Sequence, residues 1–247
     1  MIISSSRELN ALREGGRMLA AIMKRLQIAC EPGKSTVELD ELAKRLAFEW
    51  GVKPAFEGYQ GFPNALCVSL NDEVAHGVCR EDKILKGGDM VSLDFGIIYK
   101  ELYTDHAITF GLGELSVEKG ALIEVTQKAL EAGINTARAG VRTGDIGFVI
   151  EQFVKQKGNF GIVRRLVGHG IGYKIHEEPK IPNFGMSGTG YQLHEGEVIA
   201  IEPMLTLGSD EVLLANDNFT YKTSDGSPAA HFEKTLVVDK DGVEVIT

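Results

Sequence analysis

The stretch "SLDFGIIYKELYTD" sets Asp94 and Asp105 eleven positions apart on either side of a short turn. Its arms alternate in polarity and read as a β-hairpin turning at Tyr99 and Lys100. In that register the two aspartates lie directly opposite each other on one face, with Val91, Leu93 and Phe95 on the other. Like charges so placed repel, and a shared proton, a lysine or a metal must neutralise them. Glu202 ends the apolar run "VIAIE", and Glu233 sits in "HFEKTLVV". Each is an acid in a strand of core character, where an unpaired charge is costly. His169 stands at a strand end in "GHGIG", where glycines let backbone approach closely. An oxygen-rich set with one imidazole suits Mn, Fe(II), Co or Zn. Four carboxylates formally balance two divalent cations, the composition of a two-metal hydrolytic site.

Helices and strands must bring these residues together. Leu9, Leu12, Gly16, Leu19, Ile22, Met23 and Leu26 recur at helical spacing, which predicts a helix over 7–30. A second helix begins at the Ser35-x-x-Glu38 capping box and ends at Gly51. Strand patterning fills 53–112, and two further helices are expected near 115–139 and 143–158. "IVRRLVGHGIG", "EVIAIEPML" and "HFEKTLVVDKDGVEVIT" then read as strands. "GDMVSLD" at 88–94 echoes "GEVIAIE" at 196–202: glycine, acid, then an apolar strand ending in a carboxylate. The echo suggests two related halves about a pseudo-two-fold axis, sharing one site. With no low-complexity segment and no linker, 1–247 reads as one α+β domain.

The chain has 247 residues and a net charge of −9. No long basic run is present, which argues against nucleic acid as a partner. The opening residues do not read as a secretory signal, and no segment approaches the ~20 apolar residues of a membrane span. Cys30, Cys67 and Cys79 lack CxxC pairing, which argues against disulfides or a thiolate zinc site and points to a reducing cytoplasm.

Five motifs in order, "NDEVAHG", "SLDFGIIYKELYTD", "GHGIGYKIHEEP", "AIEPM" and "FEKTLVV", span nearly the whole chain. Together they resemble the short bacterial type I methionine aminopeptidases, members of the M24 metallopeptidases. The resemblance implies the pita-bread fold, a curved and mainly antiparallel sheet covered by helices. It also implies two divalent metal ions (Co, Mn, Fe(II) or Zn) held by Asp94, Asp105, His169, Glu202 and Glu233, with Asp105 and Glu233 bridging them. Glu202 is then the general base. His76 and His176 position the peptide and stabilise the tetrahedral intermediate. The implied activity is removal of the initiator methionine from nascent chains with a small second residue.

By the family pattern the methionine side chain meets Tyr59, Phe62, Cys67 and Phe219, beside His76 and His176. Gln60, Ile175 and Phe219 depart from the commonest bacterial pattern of His, Phe and Trp, and the smaller Ile175 and Phe219 imply a roomier pocket. A monomer working at peptide or nascent-chain N-termini, with possible ribosome contact, completes what the resemblance implies. One rival is an Xaa-Pro or prolyl aminopeptidase of the same fold, which usually carries a further N-terminal domain. The other is a non-catalytic binding module, which typically loses ligands that are intact here.

Overall fold

The computed structural model describes residues 1–247. Helices α1 (Ser6–Ala29) and α2 (Thr36–Trp50) open the chain. Ser35 accepts the Glu38 N–H while the Glu38 carboxylate accepts the Ser35 N–H, so the expected capping box starts α2. Gly51 ends α2 in the left-handed conformation. Next come β1 (Lys53–Pro54), a 3-10 turn at Tyr59–Gly61, β2 (Cys67–Leu70), β3 (Glu73–Ala75), β4 (Met90–Tyr99) and β5 (Leu102–Gly111). Helices α3 (Val117–Thr136) and α4 (Thr143–Lys157) follow. The remainder is β6 (Gly161–Ile162), β7 (Gly168–Gly170), β8 (Glu177–Ile181), β9 (Val198–Ile201), β10 (Met204–Thr206), β11 (Val212–Leu214), β12 (Tyr221–Thr223), β13 (Ala229–His231), β14 (Glu233–Val238) and β15 (Val243–Val245).

A nine-stranded sheet runs β1-β4-β5-β14-β9-β7-β8, with β2 on β4 and β15 on β14. Its pairings are antiparallel. The centre of this path joins β5 to β14, flanked by β4 and β9, the two strands of the sequence echo. Val91, Leu93 and Phe95 point into a core shared with α1 and α2. Ile199, Ile201, Leu236 and Val238 point into a second core shared with α3 and α4. Each half thus lays a helix pair on one face of the common sheet, as the pseudo-two-fold reading expected. On α1, a Cβ added at Gly16 would stand 2.0 Å from the Ile246 carbonyl oxygen. That glycine lets the helix lie directly on the C-terminal strand region.

Three runs expected as single strands are broken, for one reason. Strands β6, β10 and β13 form a separate three-stranded sheet, whereas β7, β9 and β14 belong to the large one. The chain changes sheets between β9 and β10 at Glu202–Pro203, where Pro203 has no N–H for a ladder. It changes again between β13 and β14 at Phe232. A corner between two sheets therefore stands beside Glu202 and Glu233.

The hairpin register also needs correction. Tyr99 pairs with Leu102, so the turn is Lys100–Glu101, both left-handed at φ 49° and 67°. Asp94 accordingly faces Ala107, and Asp105 faces Gly96. The two aspartates are diagonal neighbours on one face, not a directly opposed pair.

Candidate active site

Five adjacent strands, in the order β4-β5-β14-β9-β7, each present one potential ligand on the face away from the helices. Asp94 and Glu233 flank Ala107 from its two sides, and Asp105 lies two residues along β5 from Ala107. Glu202 follows the last residue of β9, and His169 pairs with Ala200. Strand alternation turns all five side chains the same way. Ala107 and Ala200 sit among them on that face, and their small side chains leave room above the sheet.

The backbone here is pinned. Thr235 Oγ1 accepts from Asp105 N at 2.9 Å and donates to Asp105 O at 2.9 Å. The His106 N–H donates to Asp105 Oδ1 at 2.9 Å. His169 donates Nδ1–H to the Gly170 carbonyl at 2.9 Å, which leaves the Nε2 lone pair free for a metal. That Nε2 lies 3.5 Å from Glu202 Oε1 and 3.8 Å from Glu233 Oε1. Donor atoms of Asp105, His169 and Glu233 all fall within 4.8 Å of one another.

Electrostatics test whether a cation fits. Burial pushes the Glu202 carboxyl up to about 8. Burial, then the Glu202 charge, pushes Asp105 up to about 7. Asp94 and Glu233 are driven well above the carboxylate range, first by burial and then by the Asp105 charge. His169 is pushed down to about 3, mainly by burial. No lysine or arginine forms an ion pair with any of the four acids. Buried Asp94 Oδ1 and Glu233 Oε1 have no hydrogen-bond partner. Four desolvated carboxylates, two orphaned oxygens and one unprotonated imidazole nitrogen make a donor set that fits divalent cations.

All eleven site residues expected from the sequence line one cavity of about 330 Å³: Tyr59, Phe62, Cys67, His76, Asp94, Asp105, His169, His176, Glu202, Phe219 and Glu233. Phe62 and Phe219 meet edge to face at 5.4 Å, with Cys67 across from Asp94 on β2. Gln60 also lines this cavity, donating to Tyr59 Oη at 3.2 Å. Ile175 does not. It is buried in the core, where its Cδ1 would stand 3.2 Å from a Cβ added at Gly96. Ile175 stands over Gly96 beside Phe56, on the same sheet face as Asp94 and Asp105, so its smaller side chain bears on the layer next to the cavity wall and not on the wall itself.

His176 is exposed at the rim, 4.4 Å from the His169 ring and 3.2 Å from Tyr59 Oη. His76 is half-buried at φ 55° and stacks edge-on against Tyr221 at 5.7 Å. A second cavity of about 690 Å³ shares His76, His169, His176 and Glu202 with the first and leads away past Leu166 and Tyr173. The sequence reading missed His231, which is buried with Nε2 3.3 Å from Glu202 Oε2. The chain changes sheets between His231 and Glu233, so strand alternation could not place His231 beside the acids. Phe56 and Tyr221 also line the cavity and were not singled out.

Comparison with known proteins agrees with this geometry. Metallopeptidase family M24 matches residues 10–240. A methionine aminopeptidase of Clostridium acetobutylicum is 39% identical over 100% of this chain and 98% of its own length. The crystal structure of methionine aminopeptidase from Thermotoga maritima superposes with a TM-score of 0.97 at 39% identity, covering 100% of this chain and 99% of that one. An X-Pro aminopeptidase from Thermotoga maritima shares the fold at a TM-score of 0.78 and 21% identity, and this chain covers 62% of it. With a matching family model across nearly its full length and this face of four carboxylates and an imidazole, the chain belongs to metallopeptidase family M24.

Proposed function

We propose that this chain is a methionine aminopeptidase that removes the N-terminal methionine from peptides and nascent chains with a small second residue. One observation carries the reading. The five donors stand on one sheet face, at the floor of a cavity walled by Tyr59, Phe62, Cys67 and Phe219. In this reading Asp94, Asp105, His169, Glu202 and Glu233 would together hold two divalent ions. Such ions acidify a water and polarise the scissile carbonyl.

The side chains do the rest. Glu202 takes a proton from the attacking water and delivers it to the leaving amine. His176 at the rim and His76 against Tyr221 orient the substrate backbone and donate hydrogen bonds to charge that develops on the carbonyl oxygen. Phe62, Cys67 and Phe219 take the thioether against apolar surface, with Tyr59 at the edge. The whole chain acts as one catalytic domain and a monomer, in the cytoplasm, with contact to the ribosome. No helix is long and apolar enough to cross a membrane.

The test is hydrolysis of Met-Ala-Ser and Ala-Pro-Ser by metal-free protein with Mn, Fe(II), Co or Zn added back. Metal-dependent release of methionine alone is expected. Release from the prolyl peptide alone would favour the Xaa-Pro rival, and release from neither would favour a binding module.

A further inference from the structure

One buried imidazole next to Glu202 has no role in the reading above. The His231 ring is buried, and its Nε2 has no hydrogen-bond partner. The nearest acceptor is Glu202 Oε2 at 3.3 Å, within reach but off the N–H axis. The backbone that carries this ring is fixed on both sides. Thr109 Oγ1 accepts from His231 N at 2.8 Å and donates to His231 O at 2.7 Å. Ser92 and Thr109 hydroxyls join at 2.7 Å, which ties this clamp to the β4–β5 hairpin. His231 also pairs with Met204 across the small sheet, one strand position past the corner at Glu202–Pro203. The imidazole is thus held rigidly beside a glutamate that has three rotatable bonds.

We infer that His231 is a positioning residue for Glu202: its Nε2–H holds Oε2, so that Oε1 stays turned toward His169 and the ligand set. The geometry favours this division of the carboxylate. Oε1 faces His169 Nε2 at 3.5 Å, and Oε2 faces His231 Nε2. No lysine or arginine competes for either oxygen. With Nε2 3.3 Å from Oε2, the buried ring serves Glu202 as a hydrogen-bond donor. An outer partner of this kind fixes the orientation and basicity of a ligand, and its loss typically costs about 10–100-fold in metal affinity or activity.

The inference rests on the reading of Glu202 as ligand and base, and its test separates the two. Manganese is titrated calorimetrically into the metal-free native protein, His231→Leu and His231→Gln, and Met-Ala-Ser kinetics are read on the loaded forms. For His231→Leu, the weaker manganese equivalent should bind about 10–100-fold less tightly. Its kcat should fall while KM stays near native, since the lost contact acts on the base and not on substrate binding. His231→Gln keeps a donor at similar reach and should recover most of both. Native affinity for two manganese ions in His231→Leu would overturn the inference. If the native loaded protein releases no methionine, the functional reading fails, and the titration alone decides the role of His231. Should His231→Leu not fold, ring ¹⁵N spectra of the zinc-loaded native protein decide: a protonated, hydrogen-bonded Nε2 is expected, and a bare or zinc-bound Nε2 would overturn it.

Discussion

The two halves of the sheet bring different chemistry to one face. Strands β4 and β5 contribute Asp94 and Asp105, oxygen donors only, with the apolar Cys67 beside Asp94. Strands β14, β9 and β7 contribute Glu233, Glu202 and His169, with His231 behind Glu202. The repeated element, a strand ending in a carboxylate, is common to both halves; the one imidazole among the five donors, His169, belongs to the second. A symmetric scaffold thus carries an asymmetric donor set, with hard oxygen on one side and mixed oxygen and nitrogen on the other. The central pair, Asp105 and Glu233, stands where the halves meet on β5 and β14.

The strongest way to break the comparison is to remove what both halves share. Asp105→Asn or Glu233→Gln strips a carboxylate from the centre without changing side-chain size. If these residues bridge two ions, either change removes both ions or fuses the two sides into one. A loss of kcat/KM of at least about 10³-fold is expected, since metal assistance is worth several kcal/mol. Elemental analysis of the purified variants checks the cause. Two bound ions per chain with full activity in either variant would refute the shared position.

Removing one side at a time is gentler and more informative. Asp94→Asn should weaken the oxygen-only side, and His169→Ala the mixed side. Each should lower the bound stoichiometry from two ions toward one. The difference should show in metal choice. Without His169, preference for Zn and Co over Mn should fall, because imidazole suits the softer ions and carboxylate suits Mn. Competition between Zn and Mn, measured for both variants, reads this directly. Identical selectivity in the two variants would mean that the halves are not chemically distinct.

A pH titration of stability separates the carboxyls from the imidazoles without mutation. In the unfolded chain carboxyls ionise near pH 4, whereas Asp105 and Glu202 in the metal-free fold hold protons to about 7 and 8. Folding therefore takes up protons between these values, and stability from this source falls as pH rises from about 4 to 8. The histidines act the other way. His169 and His231 are pushed down to about 3 and 4, so they add stability above about 6.5 that is lost as pH falls toward those values. Between about pH 4 and 6.5 the two contributions offset, so metal-free protein should show a plateau there by thermal melting with losses on both sides, and bound metal should flatten the alkaline side by replacing the protons. In Asp94→Asn that alkaline loss should shrink, while in His169→Ala the acid loss should shrink. A flat metal-free profile from pH 4 to 8 would contradict the burial argument.

Much of this site was legible in residue types alone. Acids at the ends of apolar strands stand out because burial makes them costly, and that logic singled out the four carboxylates, while the flanking glycines drew attention to His169. The α2 capping box and the Gly51 stop were equally readable, because both are local chemistry. What escaped was set by contacts distant in sequence. The hairpin turn is Lys100–Glu101, two left-handed residues with no glycine or asparagine to announce them, so the register was misplaced. Ile175 was expected to widen the pocket, and the Gly96 gap on β4 seats it one layer behind the cavity-lining Phe56. The broken strands follow from pairing in two different sheets, a choice that alternation along one strand cannot reveal. His231 looked like an ordinary strand residue until the corner at Glu202–Pro203 brought Met204 beside it.

The smallest expected effects lie in the helix pairs that support each half, away from the ligands. Asp145 starts α4 by accepting the Arg142 N–H at 2.9 Å. It also ties down the following loop through Ser187 Oγ at 2.6 Å and Gly188 N at 2.7 Å. Ser35 has only the α2 box to hold. Asp145→Ala should therefore cost more, about 2 kcal/mol, as cap and loop anchor are lost together. Ser35→Ala should cost about 1 kcal/mol, a drop of roughly 2–4 °C in Tm for a chain of this size. Neither should alter metal stoichiometry, because each helix pair packs on the sheet face opposite the ligands. If Ser35→Ala lowered manganese affinity while Asp145→Ala did not, the first helix pair would be coupled to the oxygen-only side. The division between a symmetric scaffold and an asymmetric donor set would then have to be redrawn.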